Sequence, residues 1–141
     1  MKIFSQKSSA EASVDFEVML NYFDRQKSRI QVTASNGEDV GILIPRGQPL
    51  SCGDVLTSDC GLSLKILGLP EEVSVIEADG TDLACASYHL GNRHIPVAID
   101  EGELCYHTDH VIDDMMIQLG FVVSPGLRVF HPEKGAYHKH A

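Results

Sequence analysis

The pattern of apolar residues changes once along this 141-residue chain, at Gly68-Leu69-Pro70-Glu71. Before that point, short apolar runs of strand length are separated by turn residues, whereas after it strand patterns alternate with helical ones. Proline followed by acidic residues is typical of a connection between domains. We therefore predict an α+β chain with an all-β domain over residues 1–69, a mixed domain over residues 70–130, and a flexible tail over residues 131–141.

The first domain is predicted to consist of strands. Apolar and charged residues alternate for five residues of the run 14–20, and apolar and polar residues alternate again over residues 29–34, as in strands with one buried face. Asn36-Gly37 is a strong hairpin signal, residues 40–44 supply the partner strand, and residues 64–69 close the domain. Since this half has no histidine and no Ser, His and Asp grouping that could activate a nucleophile, we interpret it as a binding or docking module.

The second domain is predicted to follow the order strand, helix, strand, strand, helix, strand. Its strands are predicted at residues 72–78, 95–99, 103–106 and 121–123. The first helix begins at a cap on Thr81 and ends at Gly91-Asn92; the second is capped by Thr108 or Asp109 and ends at Gly120. This order is that of the ferredoxin-like fold, an antiparallel sheet with both helices on one face.

Helical spacing also predicts which residues of the two helices face the core. In the first helix these are Leu83, Ala86, Ser87 and Leu90. In the second helix they are Val111, Ile112, Met115, Met116 and Leu119.

Four of the seven histidines lie between residues 83 and 110, and they are His89, His94, His107 and His110. Imidazole binds metal ions near neutral pH without an expensive deprotonation, so a metal site is the first hypothesis. His94 follows a helix end and is either a ligand or a solvent-facing or capping residue. His89, inside the helix, is interpreted as a structural or surface histidine. His107 and His110 are three residues apart and either share an ion or are neutral surface residues.

Charge and cysteine content exclude several classes of protein. With a net charge of −9, the chain lacks the basic surface that nucleic-acid binding requires. It has no apolar run long enough to cross a membrane and no signal peptide, so a cytoplasmic location is predicted. The cysteines form no Cys-x-x-Cys pair, and we interpret all four as small buried hydrophobic residues without a role in metal binding (Cys52, Cys60, Cys85 and Cys105).

Several phrases of the sequence carry a family resemblance. They are GILIPRG at residues 41–47 with Gly53-Asp54, YHLGNRHIP at residues 88–96, YHTDHV at residues 106–111, and PEKGAY at residues 132–137 followed by histidines. On these phrases the chain resembles the UreE family of urease accessory proteins, which are nickel metallochaperones. The resemblance covers nearly the whole chain, and residues 88–96 are its most specific part.

The resemblance implies a first domain similar to the peptide-binding domain of heat-shock co-chaperones and a homodimer formed through the ferredoxin-like domain. It also implies that His94 lies at the two-fold axis and shares one Ni(II) ion with its counterpart, with His138 and His140 of the tail as further ligands. His107 and His110 correspond to a secondary site of some relatives, where Thr108 replaces another histidine. The tail lacks the long polyhistidine run of some relatives.

The resulting prediction is a non-enzymatic carrier that binds Ni(II) as cargo and donates it during assembly of the urease metallocentre. Zn(II) or Cu(II) is expected to bind in vitro as well. The implied partners are the urease apoprotein and urease accessory proteins, including the urease-activating GTPase, with neither nucleic acid nor membrane. One alternative is a protein-interaction module with an incidental histidine metal site; another, a metal-dependent hydrolase, lacks a His-Glu-x-x-His or comparable motif.

Overall fold

A computed structural model describes residues 1–8 and 13–134 of the chain. The backbone passes from one compact unit to a second between Leu69 and Pro70. Each unit has its own sheet and its own cluster of buried apolar side chains. No helix in these residues is long and apolar enough to span a membrane.

The first unit contains one six-stranded sheet and one short helix. Its elements are β1 (Lys2–Ser8), β2 (Phe16–Leu20), α1 (Tyr22–Gln26), β3 (Arg29–Thr33), β4 (Asp39–Leu43), β5 (Val55–Ser58) and β6 (Ser63–Gly68). The strands follow the order β2-β6-β5-β1-β4-β3, in which β1 pairs with β4 and β2 with β6 in parallel. The other neighbours are antiparallel.

The core of this unit explains the alternation seen in its strands. In β2 the side chains of Phe16, Val18 and Leu20 are buried, while the two between them are exposed. The predicted hairpin is confirmed, since Thr33 pairs with Asp39 across the turn that joins β3 to β4.

Helix α1 was not predicted, and its cap explains why it forms. The Asn21 side chain accepts a hydrogen bond from the Asp24 amide at 2.8 Å, which satisfies one of the amides that a helix start leaves without a partner.

The second unit has the predicted ferredoxin-like topology. Its elements are β7 (Pro70–Glu77), α2 (Gly80–Gly91), β8 (Ala98–Asp100), β9 (Glu103–His107), α3 (His110–Gln118) and β10 (Ser124–Val129). The sheet order is β10-β7-β9-β8, and every pair is antiparallel. Buried residues of both helices pack with the same sheet residues, namely Ala86, Leu90 and Met116 against Ile76, Leu104 and Tyr106. The helices therefore cover one face of the sheet, and the predicted α+β class is confirmed.

The predicted last strand, residues 121–123, is wrong. The Phe121 amide donates to the Met116 carbonyl at 3.0 Å and continues the end of α3, and the strand begins only at Ser124. The sequence of β10 does not resemble a strand, because it contains Pro125 and Gly126. Both fit here because β10 is an edge strand, and because a Cβ at residue 126 would lie 2.8 Å from Val75 Cγ2.

Other predicted boundaries in this unit shift by a few residues. The cap of α2 is Asp79 rather than Thr81, since the helix begins at Gly80, whose φ of 53° suits glycine best. The predicted strand over residues 95–99 is observed only as Ala98–Asp100, because the turn after α2 extends over residues 92–94 and residues 95–97 pair with no strand. The end of α2 at Gly91 and the Asp109 cap of α3 are confirmed.

Some side chains predicted to be buried are exposed. Val111 and Leu119 of α3 face solvent in this chain, whereas Met116 is fully buried. Ser87 is half-buried, and its hydroxyl donates to the Leu83 carbonyl at 2.8 Å. Only one cysteine, Cys105, is buried; Cys52 is half-buried, and Cys60 and Cys85 are exposed, so the prediction of four buried cysteines is wrong.

Candidate metal centre

His94 lies at the tip of the turn that ends α2. Its amide donates to the Gly91 carbonyl at 3.0 Å, and the next amide, Ile95, reaches the carbonyl of the fully buried Leu90 at 3.2 Å. These bonds force His94 into the left-handed region, with φ of 58°, which no other non-glycine residue adopts in the described part of the chain. Such conformations are unfavourable for residues with a Cβ and cluster at functional sites. The imidazole is therefore held on an exposed, well-defined turn.

His107, the last residue of β9, is fixed from two sides. Its Nε2 lies 3.1 Å from Oε1 of Glu71 on β7, and its ring packs on Phe130 with centroids 4.2 Å apart. Val73 pairs with His107 across the two strands, so Glu71 is the diagonal neighbour of His107 on the sheet. The half-buried imidazole is thus oriented by a carboxylate and an aromatic ring, as ligating histidines commonly are.

A surface depression of about 280 Å³ brings two of the predicted ligands together. Its lining residues are His94, Ile95, Pro96, His107, Thr108, Asp109 and Ile112. Asp109 uses one carboxylate oxygen, Oδ1, to accept from the Val111 amide at 2.9 Å and the Ile112 amide at 3.3 Å. Two histidines and one aspartate are therefore among the residues that line this depression at the start of α3.

The remaining predicted ligands are not part of this depression. His110 is exposed at the first position of α3, and His89 lies in α2 with its ring edge-on to Tyr88. His138 and His140 lie outside the described residues. Within residues 1–8 and 13–134, no group of three or more His, Cys, Asp or Glu side chains is arranged to hold a metal ion.

Two residues that support the centre were missed by sequence reasoning, Glu71 and Tyr106. The buried Tyr106 hydroxyl donates to Asp113 Oδ1 at 2.7 Å, which ties α3 to β9. Burial, and then the hydrogen bond to Asp113, raise the pKa of Tyr106 well above its usual value, so the phenol stays a donor. Glu71 could have been identified as the partner of His107 only from the register of β7 against β9, which cannot be derived from the sequence alone.

Comparison with known proteins identifies the family. The UreE urease accessory protein N-terminal domain matches residues 3–67, and the C-terminal domain of the same family matches residues 71–141. Relatives named "Urease accessory protein UreE" include one from Escherichia coli O157:H7, 43% identical over 97% of this chain and 90% of its own length. The relative from Shewanella halifaxensis is 40% identical over 89% of this chain and 73% of its own length. The relative from Burkholderia lata is 48% identical over 86% of this chain and 60% of its own length. The name describes an accessory protein and not an enzyme. Since both halves match and the identity extends over most of the sequence, the chain belongs to the UreE family of urease accessory proteins.

Proposed function

We propose that the chain is a nickel carrier of urease maturation, which binds Ni(II) as cargo and donates it during assembly of the urease metallocentre. The proposal is supported by membership in a family of urease accessory proteins. The observation that carries it is that His94 and His107 line the same open depression. A carrier must release its cargo, and neutral imidazoles at an open surface exchange ligands more readily than a closed thiolate cage does.

The ligand chemistry suits nickel without being selective for it. Imidazole binds Ni(II), Cu(II) and Zn(II), and Cu(II) binds such ligands more tightly than Ni(II) does. We therefore expect Zn(II) and Cu(II) to compete in vitro, with selectivity in the cell set by supply and by partners.

A homodimer through the second unit completes this proposal. Two copies of His94 related by a two-fold axis would give one ion more ligands than a single chain offers. Association is also favoured by apolar side chains that the single chain leaves exposed on the second unit, among them Tyr88, Val111, Leu119 and Val122. His110 near the depression, and His138 and His140 of the tail, are proposed as accessory ligands.

Docking is proposed for the first unit. It has no histidine, and its apolar core is complete without the second unit. Its partners would be the urease apoprotein or other accessory proteins, including the urease-activating GTPase. The cytoplasmic location stays a prediction from the sequence.

Nickel calorimetry at fixed pH, combined with sedimentation, tests the metal site. His94→Ala should abolish the tightest nickel site, because the change removes a ligand from each of the two chains. The matched control is His89→Ala, which removes a histidine of the preceding helix that does not line the depression. If His94→Ala keeps the wild-type affinity and stoichiometry, or if the protein is a monomer with and without nickel, the shared site is wrong.

A further inference from the structure

A second depression, of about 330 Å³, lies on the first unit where β3 begins and β4 has ended. It is lined by Gln26, Lys27, Ser28, Arg29, Ile44, Pro45, Arg46, Gly47 and Gln48. The Ile44 amide donates to the Ser28 carbonyl at 2.8 Å, which fixes the spacing between the two lining segments. Pro45 is exposed beside the buried Ile44, so the depression combines a small apolar surface with a basic rim.

The cations of this rim are available to a partner. Arg29 and Arg46 are exposed and form no ion pair within the described parts of the chain. Lys27 pairs with Asp24 at 2.9 Å, but both side chains are substantially exposed, and ion pairs of this kind are weak because water screens them. The two arginines therefore provide most of the unmatched positive charge.

Charge is distributed unevenly along the chain. Residues 1–69 carry seven Lys and Arg against eight Asp and Glu, whereas residues 70–141 carry four against twelve. The basic rim thus belongs to the half that has little net charge of its own. Nucleic acid, a long polyanion, would still be repelled by a chain of net charge −9. A short acidic segment would interact mainly with the positive charges that line the depression.

We propose that this depression docks a carboxylate-rich segment of a partner protein, with Arg29 and Arg46 binding its carboxylates. Guanidinium groups suit this role because they form paired hydrogen bonds with carboxylates and stay charged at all relevant pH values. Apolar side chains of the same segment would pack on the exposed Pro45. The inference rests on the docking role proposed above for the first unit and names the surface and the chemistry of the partner.

The test is fluorescence anisotropy on the full-length protein with a labelled peptide of alternating Glu and Leu. A peptide with Gln in place of Glu is the matched probe. The variant Arg29→Gln/Arg46→Gln is compared with Lys7→Gln/Lys65→Gln, which removes two positive charges from the same unit outside the depression. We expect the Glu peptide to bind at least 10-fold more weakly to the arginine variant and within 2-fold of wild type to the lysine variant.

Several outcomes would overturn the proposal. These are absence of binding to the Glu peptide, equal binding of the Gln peptide, equal losses in both variants, and tighter binding of a single-stranded oligonucleotide than of the Glu peptide. A smaller oligomer of the arginine variant in sedimentation would identify a second copy of this chain as the occupant instead. Nickel stoichiometry, measured on the same samples, should be unchanged in both variants. If the wild-type protein binds no nickel, the proposed function is contradicted, but the peptide measurements still test the docking inference independently.

Discussion

At His94, the backbone conformation favours glycine, whereas the proposed metal-binding role requires a histidine side chain. Its φ of 58° suits glycine, yet the proposed ligand role requires an imidazole at this position. The left-handed conformation costs a residue with a Cβ about 1–2 kcal/mol. The chain therefore accepts a local cost in stability to present this side chain.

This conflict predicts that two substitutions at one position will separate stability from binding. His94→Gly should unfold with a free energy about 1 kcal/mol higher than that of His94→Ala, since glycine tolerates the left-handed backbone. Both variants should lose the tightest nickel site. Urea denaturation and nickel calorimetry make the two measurements, and equal stability of the two variants would show that the turn is not strained.

Glu71 provides a second prediction at the scale of a residue. Its carboxylate lies 3.1 Å from His107 Nε2, so Glu71→Ala should remove one of the two contacts that orient the imidazole. If His107 is a ligand, nickel affinity should fall by about 10- to 100-fold, as is usual when the partner of a ligating histidine is lost. Glu72→Ala removes the adjacent carboxylate and is the control. Calorimetry that finds the same affinity for both variants and wild type would remove His107 from the ligand set.

At the scale of elements, a hydrogen bond of 2.7 Å from the Tyr106 hydroxyl to Asp113 connects β9 to α3.

Most helices and strands could be predicted from the sequence, because hydrophobic periodicity and turn residues indicate which face of each segment is buried. The strand β10 could not be predicted, because Pro125 and Gly126 are unusual in strands. They fit here because β10 is an edge strand and Val75 lies close to Gly126, and both facts depend on the tertiary structure. That His94 and His107 line the same depression likewise depends on how α2 and β9 pack, whereas each histidine alone could be identified as a candidate ligand from the sequence.

The same hydrogen bond predicts how stability depends on pH. The pKa of Tyr106 is raised in the folded protein, so its contribution is complete below the unfolded value of about 10 and is lost as the pH rises above that value toward the folded pKa. Tyr106→Phe should lower the free energy of unfolding by about 1 kcal/mol at pH 8, and its stability should fall less between pH 8 and pH 11 than that of wild type. Parallel pH profiles for Tyr106→Phe and wild type would contradict this prediction.

At the scale of the whole molecule, carrying and docking are predicted to reside in different units. Each unit has its own buried core, so a fragment of residues 70–141 should fold by itself. We expect it to keep the dimer and the tightest nickel site but to activate urease less well than the full chain does. Sedimentation, calorimetry and a urease activation assay give the three readouts. Equal activation by the fragment would remove the docking role of the first unit.

The edges of the second sheet restrict how copies of the chain can join. One edge, β10, includes Pro125, which has no amide hydrogen to donate, and the other edge, β8, is only three residues long. Neither edge offers the long run of backbone donors and acceptors along which strands of different molecules could pair. Growth into extended β-aggregates through this sheet is therefore disfavoured.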